Sequence, residues 1–210
     1  MFVDADVLYS ATVRYWLFQL RVSTPSMFQL HTSEDVLAEV IAKLRDNNPR
    51  WDGRQTVRIR EDILEIVDEV LTDFDGSVPY EGSDPNDFHV HAAAIGCRAD
   101  ILLTCDTGLL RQPNADDLSY EAYHPDDFFV LLNDSAPLDV RQATYDQMIY
   151  SVRTHGARKS RMVQSLQDAG CPEFAKVVNR HLQDLAGALP RGDRRRLRRS
   201  EGLDLAGPEA

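Results

Sequence analysis

Cysteine is scarce and odd in number: Cys97, Cys105 and Cys171 are far apart and form no C-x-x-C pair. That excludes a disulfide scaffold and a thiolate zinc site, and it points to reduced thiols in a cytoplasmic protein. No apolar run approaches the roughly 20 residues needed to span a bilayer. No basic segment followed by an apolar stretch opens the chain, so neither a membrane anchor nor a secretory signal is expected. Internal repeats are lacking too. Basic residues are in deficit, 23 Lys and Arg against 34 Asp and Glu, which does not suit a simple DNA-binding domain. What remains is an ordinary globular composition, 43% hydrophobic over 210 residues. That is enough for one domain of average size and an appendage.

The acidity is uneven. Residues 1–137 carry 10 Lys and Arg against 25 Asp and Glu, whereas residues 138–200 carry 13 against 6. Such a split would suit a body that gathers cations and a tail that meets phosphate; the plain alternative is a solubilising acidic surface with a frayed basic tail.

The body alternates between strand and helix signals. A first strand is expected within Met1-Phe2-Val3-Asp4-Ala5-Asp6-Val7-Leu8, with an acid at its carboxyl end. Val13, Trp16, Leu17 and Leu20 give Tyr9 to Arg21 a helical stripe, with Trp16 on its apolar face. Met27 to His31 alternates like a short strand. Thr32 or Ser33 then caps a helix whose apolar face is Val36, Leu37, Val40, Ile41 and Leu44, with Glu39 at its flank. After the loop at 47–53, Ile59, Ile63, Ile66, Val67, Val70, Leu71 and Phe74 predict one long amphipathic helix. Val78 to Tyr80 fits a brief extended segment. Asp84-Pro85 is a strong helix start, which puts Asp87 in the first turn of a helix reaching about Cys97. Ile101 to Thr104 is a buried strand followed at once by Asp106, and Thr107 to Leu110 turns the chain away. Glu121 to Tyr123 is a last strand before a helix from Pro125.

This order predicts an α/β fold, a mainly parallel sheet built from βαβ units with right-handed crossovers. The character changes at Ala136-Pro137. Residues 137–189, helical with no strand signal, form a small all-α appendage to a body at 1–136. Residues 190–210, with the run Arg194-Arg195-Arg196-Leu197-Arg198-Arg199, form a basic tail expected to be disordered or to fold on a partner.

Four acids fall at strand ends or helix starts: Asp4, Glu39, Asp87 and Asp106. Any one of them alone is an ordinary cap or surface acid. Together they are different, because gathering carboxylates is unfavourable unless something neutralises them. A hard divalent ion such as Mg²⁺ or Mn²⁺ takes oxygen ligands and does so. Such a site suits hydrolysis of a phosphodiester by metal-activated water. His89 and His91, two apart on a helix, face different directions and read as structural or surface residues.

These residues resemble the PIN-domain nucleases. Asp4-Ala5-Asp6-Val7-Leu8 is similar to the family's first motif, and Ser33-Glu34-Asp35-Val36-Leu37-Ala38-Glu39-Val40 to its second. Asp84-Pro85-Asn86-Asp87, opening a helix with Ala92-Ala93-Ala94, is similar to the third. Leu103-Thr104-Cys105-Asp106, with Leu109-Leu110 behind it, is similar to the fourth. The segment from Tyr123 to Phe128 resembles the family's closing strand and helix.

The resemblance covers roughly residues 1–135. It implies a three-layer α/β/α sandwich and Mg²⁺- or Mn²⁺-dependent cleavage of RNA, with Asp4, Asp87 and Asp106 as metal ligands and Glu39 as a further one. Asp6, Asp84 and Thr104 would support the site. The basic and aromatic cluster Arg50, Trp51 and Arg54 is a candidate RNA contact. The resemblance further implies a VapC-like toxin, held by a cognate antitoxin and capable of forming a homodimer. The alternatives are a housekeeping RNA-processing nuclease, a haloacid-dehalogenase-like phosphatase with Asp4 as nucleophile, and a non-catalytic binding module. Leu8 and Cys105 break the phosphatase pattern.

Overall fold

The computed structural model describes residues 1–82, 84–112, 115–155 and 161–188. They fall into two compact units, Met1–Phe128 and a second that begins at Phe129, ahead of the change of character at Ala136-Pro137.

The first unit is built on five short strands, β1 (Phe2–Val3), β2 (His31–Ser33), β3 (Glu69–Leu71), β4 (Ile101–Leu103) and β5 (Glu121–Tyr123). All pair in parallel, in the order β3-β2-β1-β4-β5. Strands β1 and β4 are apolar because both their faces are covered. Phe2, Val3, Leu102 and Leu103 are wholly buried, with Phe2 opposite Leu102 and Val3 opposite Leu103. Each such side chain contributes roughly 1.5–3 kcal/mol by leaving water.

Helices α1 (Ala5–Tyr9) and α2 (Ala11–Ser23) link β1 to β2, and α3 (Glu34–Asn47) and α4 (Gly53–Ile66) link β2 to β3. The chain then returns across the sheet. It passes through a 3₁₀ turn at Pro85–Asp87 and α5 (Phe88–Gly96) to reach β4, and α6 (Thr107–Leu110) leads on to β5. Right-handed crossovers in opposite directions along a sheet lay their helices on opposite faces. The result is the expected three-layer α/β/α sandwich. Trp16 is core, 1% exposed among Val13, Leu17 and Leu20.

Three expectations shift, each for a visible reason. The first strand stops at Val3 and does not run on to Leu8, because the Asp4 carboxylate accepts the Ala5 amide and caps α1. The second strand is His31–Ser33, not Met27–His31; Thr32 sits in it by donating its hydroxyl to Val3 O, and Ser33 caps α3.

The long helix expected through Phe74 ends at Ile66, and β3 follows it. Asp68 makes the break. Its amide donates to Leu30 O, while its carboxylate accepts the Leu30 amide and the Arg21 guanidinium. Val78 to Tyr80 belongs to no strand of the sheet.

Helix α7 (Pro125–Ser135) carries the boundary between the units, and α8 (Pro137–His155), α9 (Met162–Asp168) and α10 (Pro172–Ala188) complete the second. Its helices bury Val140, Leu166, Phe174 and Val178, and the rings of Phe129 and Phe174 meet at 5.0 Å. His181 holds Asn133 through a 2.8 Å hydrogen bond. The arginine-rich run Arg194 to Arg199 and the rest of 190–210 lie outside the described residues.

Candidate functional site

In a parallel sheet, ligands collect outside the carboxyl ends of the strands where chain order reverses. Here that place is the gap between β1 and β4, and Asp4 and Thr104 directly follow those two strands. The Asp4 amide adds a further rung to the ladder by donating to Leu103 O at 3.0 Å. The Thr104 amide does the same to Tyr123 O at 3.0 Å.

A run of hydrogen bonds then joins the two strand ends. The Asp106 amide donates to Thr104 Oγ1 at 2.9 Å, and the Thr104 hydroxyl donates to Asp4 Oδ2 at 2.6 Å. Thr104 has one hydroxyl proton, so its direction is fixed toward Asp4. Asp106 in turn caps α6, its Oδ1 accepting the Gly108 and Leu109 amides at 2.6 and 3.0 Å.

Asp4, Asp6, Glu39, Asp84, Asp87 and Asp106 all line one cleft of about 540 Å³. The structure therefore brings together every acid singled out in the sequence. Asp84 does two jobs, since its carboxylate also caps the 3₁₀ turn through the Asn86 amide. Tyr80 donates to Asp87 Oδ2 at 3.4 Å, and its ring lies against those of Phe88 and His91.

His91 is buried and structural, between the Tyr120 hydroxyl at 2.8 Å and Pro79 O at 3.0 Å. Burial holds its pKa below the ordinary value. Arg50, Trp51 and Arg54 are not among the residues that line the cleft; Arg50 and Arg54 are exposed.

Sequence reading missed three participants. Lys43, one turn after Glu39 on α3, reaches Asp6 Oδ1 at 2.6 Å and Glu39 Oε1 at 2.9 Å. The Glu39–Lys43 spacing is visible in the sequence, although the apolar face of α3 is its stronger signal. His89 lines the cleft too, with Nε2 at 3.7 Å from Glu39 Oε2. Gly108 is the third: a Cβ there would lie 2.9 Å from Asp106 Oδ1 and 3.8 Å from Asp87 Oδ2.

The electrostatics follow from crowding. Asp4 is 6% exposed, and burial raises its pKa to about 6 against the pull of Thr104 and the Ala5 amide; Asp6 and Glu39 add to the rise. Burial, then the charges of Asp106 and Asp84, raise Asp87. Burial works against the charged form of Lys43, but Asp6 and Glu39 outweigh it and hold the ammonium above its ordinary range. Cys105 is pushed up to about 12 by burial and by Asp6 and Asp4, so its thiol stays protonated.

Among the described residues, no three His, Cys, Asp or Glu side chains stand grouped as ligands around one point. Three observations nonetheless fit a hard divalent cation. The donors are carboxylate oxygens in excess over one lysine. The Lys43 ammonium already stands as a cation between two of them. The missing side chain at Gly108 leaves room between Asp87 and Asp106. No protein-family model matches the chain, and neither a curated protein nor a solved structure matches it.

Proposed function

We propose that the chain is a divalent-cation-dependent endoribonuclease of the PIN type. The observation that carries this reading is the convergence of six carboxylates on one cleft at the β1/β4 switch point, with Asp4 raised to about 6. Such a cluster sets one lysine against six carboxylates, and a phosphodiester that has to approach it is negative as well. Asp4, Asp87 and Asp106 would hold Mg²⁺ or Mn²⁺ through oxygen, with Glu39 as a further ligand. The ion would neutralise both partners and lower the pKa of an attacking water.

The chain's own residues do the positioning. Thr104 fixes the orientation of Asp4, and the α6 amides fix Asp106. Tyr80 steadies Asp87, and Lys43 holds both Asp6 and Glu39. A phosphatase in which Asp4 attacks phosphorus is the weaker reading. Both of its oxygens accept hydrogen bonds, which draw off the electron density a nucleophile needs.

The decisive experiment incubates purified protein with a mixed RNA pool in EDTA, Mg²⁺ or Mn²⁺, beside an Asp4→Asn variant. Cleavage with metal that is lost in EDTA and in the variant supports the reading. Undiminished cleavage in the variant sinks the site, and no cleavage under any metal turns attention to a binding module.

The toxin role, with a cognate antitoxin and a possible homodimer, is proposed along with the activity. Co-expression with the neighbouring gene product and gel filtration test it, and failure to co-elute would count against it.

A further inference from the structure

Among the described residues, two of the six carboxylates of the cleft are paired with a lysine and four, Asp4, Asp84, Asp87 and Asp106, are not. On the strand side stand Asp4, Asp87 and Asp106, where Asp4 is tied to the backbone of Asp106 through Thr104. On the α3 side, Asp6 and Glu39 share the Lys43 ammonium at 2.6 and 2.9 Å. Lys43 is held there by construction. A Glu followed four residues later by Lys is the favourable orientation on a helix, and Asp6, on a different helix, takes a second of its three protons.

We propose that Lys43 is a resident cation that fills the α3 side of the cleft, so that the cleft takes one divalent ion, on the Asp4, Asp87 and Asp106 side, and not two. This rests on the cation-dependent reading above and specifies its stoichiometry.

The physical reason is competition at short range. Paired catalytic ions stand about 3.5–4 Å apart and share carboxylates. A second ion bridging toward Glu39 and Asp6 would have to occupy the space of the ammonium or lie beside it. Like charges at such separations repel strongly even in a half-exposed site. With Lys43 in place, the α3 side carries one net negative charge, while among the described residues no basic side chain pairs with the three acids of the strand side. Remove the ammonium, and Asp6 and Glu39 become a second pair of free oxygen donors.

The test counts ions and does not depend on turnover. Mn²⁺ is titrated into the full chain, and free Mn²⁺ is read from its electron paramagnetic resonance signal. Wild type should bind one equivalent and Lys43→Met two, a doubling, while Lys43→Arg should stay at one. Asp4→Asn, with Lys43 intact, should lose the single wild-type ion. Circular dichroism checks that each variant is folded, and Lys43→Gln replaces the methionine variant if that one fails to fold.

Two equivalents in wild type would overturn the role of Lys43 while leaving the cation-dependent reading standing. One equivalent in a folded Lys43→Met would overturn it as well. No bound Mn²⁺ in any variant would remove the cation reading itself, and this inference with it.

Discussion

The two flanks of the acidic cleft hold charge by opposite means. On the strand flank, Asp4 is buried and fixed by neutral donors, an amide and a hydroxyl, and among the described residues no positive side chain is bonded to it. On the α3 flank, Glu39 and Asp6 are more than a third exposed and share a lysine. Hydrogen bonds orient a carboxylate without cancelling its charge, whereas an ion pair cancels the charge and leaves the groups mobile in water. The first flank is suited to hold a ligand and the second to moderate one.

That contrast orders the expected effects of substitution. Largest should be the loss of RNA cleavage in Asp4→Asn or Asp106→Asn, about 10³-fold, the scale of several kcal/mol of lost charge stabilisation. Single-turnover assays would show it, and a drop below tenfold in both would erase the distinction between the flanks.

Next is a pH effect on stability without metal. Folding raises the Asp4 pKa from 3.8 to about 6, so the folded state binds this proton more tightly than the unfolded chain does. The favourable contribution is full below about pH 4 and is lost as pH rises through about 6; the loss amounts to about 3 kcal/mol. Urea unfolding in EDTA between pH 4 and 7 should show that decline, and Asp4→Asn should flatten it. Adding Mn²⁺ at pH 7 should restore stability to wild type only. An equally steep profile in the variant would assign the effect elsewhere.

Thr104→Val should cost about 1–3 kcal/mol, because it leaves the Asp106 amide without its acceptor in a half-buried site. Thermal melts of the variant would measure this, and a change within error would show that water replaces the hydroxyl. Smallest is Lys43→Met, which removes a partly exposed pair and should shift stability by no more than about 1 kcal/mol. A larger loss would mean that the α3 flank is structural, not moderating.

The acids were legible in the sequence because each stands at a junction between element types, where a polar residue interrupts an apolar run. Strands β4 and β5 were legible as short runs bounded by polar residues. The others were harder. β3 was hidden because Ile63, Ile66, Val70 and Phe74 keep helical spacing straight through it, and only Asp68, bonded to the distant Leu30 and Arg21, ends the helix. β1 was overestimated because one side chain serves both as strand end and as helix cap. Lys43 and Gly108 went unread because their roles arise from side chains brought in by other elements. Sequence spacing does not show a charge arriving from another helix, nor a space that has to stay empty.

The rung from the Asp4 amide to Leu103 O fastens Asp4 to the middle of the sheet, and that from the Thr104 amide to Tyr123 O ties the end of β4 to β5. Such amides exchange with solvent only when the sheet itself opens. The lifetime of the assembled cleft is then the lifetime of the folded unit. In deuterated water, the Asp4 and Thr104 amides should be among the last to vanish, leaving together with those of the core strands.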